Sequence, residues 1–122
     1  MSVSLTLPWP PTVNHVWRYV GKRVYKSKRY QAWAEEAGKE LNVQKPGSVR
    51  GHYQAHFHLV PPDARRRDQD NFLKAVNDLL AKHGVIEDDH LARVTTISWG
   101  EPRKPGTVAV KLESVPAMKV TR

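Results

Sequence analysis

A chain of 122 residues can bury one hydrophobic core but not two of ordinary size, so a single domain spanning residues 1–122 is expected. Its 20 Lys+Arg against 12 Asp+Glu leave a formal net charge of +8, and the excess is clustered rather than spread, which favours nucleic acid as a polyanionic partner. The lack of cysteine excludes disulfides, thiolate metal sites and cysteine nucleophiles. No apolar run nears the roughly 18 residues of a membrane span and no signal peptide opens the chain, so a soluble, cytoplasmic protein without a membrane partner is expected.

Ser2 to Leu7 alternates, with Val3, Leu5 and Leu7 on one face, and reads as a half-buried strand that Pro8, Pro10 and Pro11 stop. Trp9 to His15 is then an extended loop, in which Asn14 either touches substrate or caps a turn. Val16 to Tyr25 reads as a hairpin with Gly21-Lys22 at its tip. The basic residues Arg18, Lys22, Arg23, Lys26, Lys28 and Arg29 are interleaved there with Trp17, Tyr19 and Tyr25, a pattern suited to phosphate contacts, against the plainer reading of an exposed hairpin. Ser27 caps a helix expected to run to about Val43, with Tyr30, Trp33, Ala34, Ala37 and Leu41 facing the core. Gly51 to Val60 alternates again. It sets Tyr53, Ala55, Phe57 and Leu59 against His52, Gln54, His56 and His58, whose spacing of about 6.6 Å would let neighbouring imidazoles share a zinc ion. The missing cysteines and the nearby acids argue instead for a polar sheet face and a hard, oxygen-ligand site. Leu91 to Trp99 and Thr107 to Glu113 complete four strands, and the tail from Pro116 to Arg122 is expected to be mobile.

Between the strand Gly51 to Val60 and the strand Leu91 to Trp99 lies the most informative stretch, Arg65-Arg66-Arg67-Asp68-Gln69-Asp70-Asn71, followed by an amphipathic helix and then Glu87-Asp88-Asp89. Phe72, Leu73, Val76, Leu79, Leu80 and His83 recur at helical spacing as a buried stripe, Asp70 or Asn71 can cap it, and Gly84 ends it. Asp68 and Asp70 project to one side of an extended approach. Lys74, off the stripe, can reach back to the helix start, with an ion pair to Asp70 as its structural alternative. Carboxylates gathered in an otherwise basic protein repel one another unless a cation neutralises them, which suggests a divalent ion with oxygen ligands. The arginines would hold phosphate, or merely offset the acids. Asn71 would orient a water or cap the helix. Asp88 and Asp89 sit about 18 Å away along such a helix and join the site only if the chain turns back. Asp78 and Glu87 read as surface residues.

Pro61-Pro62-Asp63, Arg65-Arg66-Arg67, Asp68-Gln69-Asp70-Asn71, Lys74 and Asp88-Asp89, together with Leu7-Pro8-Trp9-Pro10-Pro11 and Asn14, resemble the RusA family of Holliday junction resolvases over nearly the whole chain. The resemblance implies a Mg²⁺-dependent endodeoxyribonuclease, with Mn²⁺ able to substitute. It would act as a homodimer on four-way or branched DNA in recombination and repair, near the nucleoid of a bacterium or for a resident phage. It also implies metal-binding acids at Asp68, Asp70 and Asp89 and a catalytic Lys74, although nothing local separates Asp88 from Asp89. A flap or fork nuclease would share every one of these residues, and a non-catalytic DNA-binding module would need only the basic ones. An EF-hand is a poor fit, because a helix rather than the required glycine follows Asp70. The expected fold is α+β: a mixed or mostly antiparallel sheet of about four strands with two helices on one face.

Overall fold

The alternation at the N-terminus becomes β1 (Ser2–Pro8), in which Val3, Leu5 and Leu7 are buried and the intervening Ser2, Ser4 and Thr6 are exposed. The structure is a computed structural model describing residues 2–11, 17–20, 23–68 and 72–116, the side chains of 17–20 and 23–26 excepted. β2 (Trp17–Val20) and β3 (Arg23–Lys26) form the expected hairpin as a separate two-stranded sheet. Its tip at 21–22 lies outside the described residues. α1 (Lys28–Gln44) follows. Its N-cap Ser27 accepts a hydrogen bond from the Tyr30 amide at 3.1 Å, satisfying one of the donors a helix start leaves unpaired.

β4 (Tyr53–Val60), α2 (Leu73–Lys82), a 3₁₀ turn (Asp89–Leu91), β5 (Ala92–Trp99) and β6 (Thr107–Ser114) complete the domain. The strand order is β1-β6-β4-β5, with β4 and β5 parallel and the other neighbours antiparallel. Parallel neighbours need a crossover, and the segment containing α2 supplies it. Both helices share one apolar core with one face of the sheet: Tyr30, Trp33, Leu41, Val76, Leu79 and Leu80 meet Leu5, Phe57, Leu59, Val110 and Leu112. The opposite face is polar. There His56 Nδ1 lies 2.5 Å from Thr96 Oγ1 and His58 Nδ1 lies 2.7 Å from Ser98 Oγ, so these imidazoles are engaged with hydroxyls of β5.

α1 is fixed to the edge strand by its polar groups. Trp33 Nε1 donates to the Pro8 carbonyl at 2.9 Å, while the Gln44 amide accepts from Thr6 N at 2.8 Å and donates to Thr6 O at 2.7 Å. Gln44 thereby covers backbone groups that an edge strand would leave open to another chain. The stripe of α2 differs from expectation at its end. His83 is exposed, because the helix stops at Lys82 and the αL glycine Gly84 (φ 73°) turns the chain; Ala75 is buried with Val76, Leu79 and Leu80 instead. Phe57, 1% exposed on β4 between two strand neighbours, is the test of this core. Phe57→Ala should lower unfolding stability by about 3–5 kcal/mol in urea titration, through lost burial and the cavity left behind.

Candidate active site

The crossover decides which acids meet. After α2 the chain turns at Gly84, buries Val85 and Ile86, and brings the 3₁₀ turn against α2 on its way into β5. Glu87 helps to fix this return, its Oε1 accepting from the Gly51 amide at 2.5 Å. Asp88 caps the turn: its Oδ1 accepts from His90 N at 3.2 Å and its Oδ2 lies 3.3 Å from His90 Nδ1. Asp89 follows within electrostatic reach of Lys74 and Asp78 on α2. A hydrogen bond between the two carboxyls holds Asp88 below the ordinary carboxylate value, helped by the His90 amide. The same bond raises Asp89, with burial and the negative charge of Asp88 adding to the effect and the Lys74 ammonium opposing it. Tyr53, buried at the start of β4, feels both acids; burial first, then Asp89 and Asp88, push its phenol up to about 12.

Lys74 lies in the first turn of α2, half exposed, with Nζ 3.6 Å from Asp78 Oδ1 one turn on. Sequence reading passed over Asp78 as a surface residue. The available signal was its spacing of four from Lys74, which places both on one helix face.

Of the arginine run, Arg65 and Arg66 are exposed, whereas the Arg67 side chain is only 14% exposed. Arg67 Nη2 donates to Asp63 Oδ1 at 2.7 Å, and Nη1 donates to the carbonyls of Asp63 at 2.9 Å and Arg65 at 3.3 Å. The Asp63 carboxyl is held below its usual value, first by the Arg65 amide and then by Arg67. Arg29, at the start of α1, joins Arg65, Arg66 and Arg67 around a cleft of about 400 Å³ walled by Trp9, Pro10, Pro11, Trp33 and Phe72. Basic groups from two distant parts of the chain thus border one depression.

Lys28 is exposed beside Arg29, and Asp68 is exposed at the head of the acidic stretch. The backbones of Arg18, Arg23 and Lys26 lie in the hairpin, where Arg18 pairs with Tyr25 and Val20 with Arg23. Asn14, Lys22, Asp70 and Asn71 lie outside the described residues. Among the described residues no three acid or histidine side chains stand together in a metal-holding arrangement.

Comparison with known proteins decides the family. The family model Endodeoxyribonuclease RusA matches residues 8–113, which spans the cleft, the arginines, α2 and the acid pair. The chain belongs to the RusA endodeoxyribonuclease family. It is 32% identical over 117 residues to a crossover junction endodeoxyribonuclease RusA of Escherichia coli O139:H28, covering 90% of this chain and 89% of that one. It is 34% identical over 104 residues to the protein of that name from Aquifex aeolicus, covering 84% and 82%. The counterpart in Escherichia coli K12 is 34% identical over 93 residues, or 70% and 72%. In this RusA-family chain, Lys74 on α2 lies within electrostatic reach of Asp89 on the 3₁₀ turn, and Arg29, Arg65, Arg66 and Arg67 border the cleft. No helix among the described residues is long and apolar enough to cross a membrane.

Proposed function

We propose that this protein is a divalent-metal-dependent crossover junction endodeoxyribonuclease, cutting four-way DNA by hydrolysis of phosphodiester bonds. The observation that carries the reading is the return of Asp89 to Lys74 and Asp78 across the α2 crossover, in a chain of the RusA family. Asp88 and Asp89 stand side by side at the 3₁₀ turn, and neighbouring carboxylates repel one another unless a cation offsets their charge. With oxygen donors and no thiol, that set fits Mg²⁺ or Mn²⁺.

In this reading Asp68, Asp70 and Asp89 hold the ion, and Asp88 serves the turn through its hydrogen bonds to His90. The ion, when bound, supplies neutralisation of phosphate charge and activation of water. Lys74 stabilises the added negative charge of the transition state or protonates the leaving oxygen. Arg65, Arg66 and Arg29 at the cleft grip flanking phosphates, and Lys28, Arg18, Arg23, Lys26, Lys22, Asn14 and Asn71 are further candidate DNA contacts. A homodimer would match the approximate two-fold symmetry of a junction and carry twice the +8 formal charge.

Nicking of an end-labelled synthetic four-way junction tests the reading. With Mg²⁺ or Mn²⁺, paired nicks on opposing strands are expected, and junction affinity should fall steeply between 50 and 200 mM salt, by roughly 10³ or more if each dimer neutralises six or more phosphates. Binding without cleavage in every divalent metal would reduce the protein to a DNA-binding module. A panel of flaps and forks run alongside shows how far the junction is preferred.

A further inference from the structure

Trp9 touches the chain on both sides of the acidic stretch. Its ring lies 4.8 Å, centroid to centroid, from Phe72, and the Arg67 guanidinium carbon lies 5.6 Å from the Trp9 ring centroid, within cation–π range. Arg67 immediately precedes Asp68 and Phe72 immediately follows Asn71, so one indole meets the two residues that bracket 68–71. Neither flank is loose. Phe72 is 1% exposed, and Asp63 fixes the Arg67 guanidinium through Oδ1 and through its own carbonyl.

The indole is itself held. Trp99 at the end of β5 lies 6.4 Å away, and the turn before β6 comes so close that a Cβ on Gly106 (φ +89°) would stand 3.1 Å from Trp9 Cβ and 2.9 Å from Pro62 Cδ. Trp9 therefore packs the end of β5 and the turn before β6 against Arg67 and Phe72. With three of its contacts spent on Asp63 and Arg65 carbonyl or carboxylate oxygens and a fourth on the indole, Arg67 is built into the wall, unlike its exposed neighbours.

We infer that Trp9 is a positioning residue for the metal-binding acid Asp68, acting through the adjacent Arg67, with Asp63 locking the Arg67 guanidinium. The inference rests on the reading of Asp68 as a metal-binding acid. Groups behind metal ligands set their orientation, and losing such a group costs affinity for the ion before it costs affinity for DNA.

The test is Mn²⁺ titration of the free protein by calorimetry, with junction affinity in EDTA and thermal midpoints measured in parallel. Trp9→Leu and Asp63→Asn should each weaken Mn²⁺ binding by about tenfold, and raise to match the metal concentration needed for half-maximal nicking. Junction affinity in EDTA should stay within about twofold of wild type, and Trp9→Phe, which keeps an aromatic face, should bind Mn²⁺ nearly as wild type does. Asp63 lies at the surface, so its variant reports even if Trp9→Leu folds poorly. Wild-type Mn²⁺ affinity in Asp63→Asn together with weakened junction binding would overturn the inference and make Arg67 a direct phosphate contact. A Mn²⁺ defect confined to Trp9→Leu and matched by a lowered thermal midpoint would also overturn it, leaving Trp9 a packing residue. Failure of the wild-type protein to bind Mn²⁺ would instead remove the metal reading beneath it.

Discussion

Asp89→Asn is expected to abolish junction nicking, lowering the rate by about 10³ or more, equivalent to roughly 4 kcal/mol of transition-state stabilisation. The size follows from what is lost: a carboxylate ligand, replaced by a neutral amide that binds hard cations weakly. Junction affinity measured without metal should hold or rise, because one negative charge near the phosphates disappears. Asp88→Asn is the informative comparison. An asparagine can still accept the His90 amide and cap the turn, so a loss of about tenfold to a hundredfold is expected, the size associated with a residue that supports a ligand. Single-turnover rates at saturating Mg²⁺, with gel-shift affinities in EDTA, check both. Equal and complete loss in the two variants would mean that the pair acts as one ligand; a severe loss in Asp88→Asn alone would exchange their roles.

Lys74→Gln carries the second large effect. The substitution keeps the length and helix preference of the side chain while removing its charge. Its partner across one turn, Asp78, is an exposed-side contact at 3.6 Å, so the helix should lose only about 0.3–0.5 kcal/mol and the thermal midpoint should scarcely move. Nicking should nevertheless fall by about 10²–10³ at saturating metal, the usual consequence of deleting a group that meets transition-state charge. Junction affinity should change by no more than the loss of one phosphate contact. A rate close to wild type would assign Lys74 to its ion pair with Asp78 and remove it from the chemistry.

Both expectations depend on a juxtaposition that local sequence did not contain. The alternation of Ser2 to Leu7 and of Gly51 to Val60, the Ser27 cap and the stripe through Val76, Leu79 and Leu80 were legible. Each is a repeat of two or between three and four residues, set by how side chains leave a strand or a helix. The α+β class followed, as did the likeness to the family. His83 was misplaced, because periodicity continues past the point where a glycine with positive φ ends a helix. Asp78 was passed over, because one acid on a helix face is ordinary until something from elsewhere in the chain approaches it.

Sequence by itself thus determined the elements and the chemistry available to them, since both depend on residues within a few positions of one another. Tertiary structure decided the rest. The parallel pairing of β4 with β5 forces the crossover that returns Asp88 and Asp89 to α2, where Asp88 caps the short turn that Asp89 opens. Contact between Trp9 and residues about sixty positions away sets Arg67 into the wall while Arg65 and Arg66 face solvent. Three adjacent arginines are chemically identical in the sequence. Only the packing around them makes them different: the Asp63 carboxylate pairs with both Arg65 and Arg67, but it is the Arg67 guanidinium that lies against the Trp9 ring.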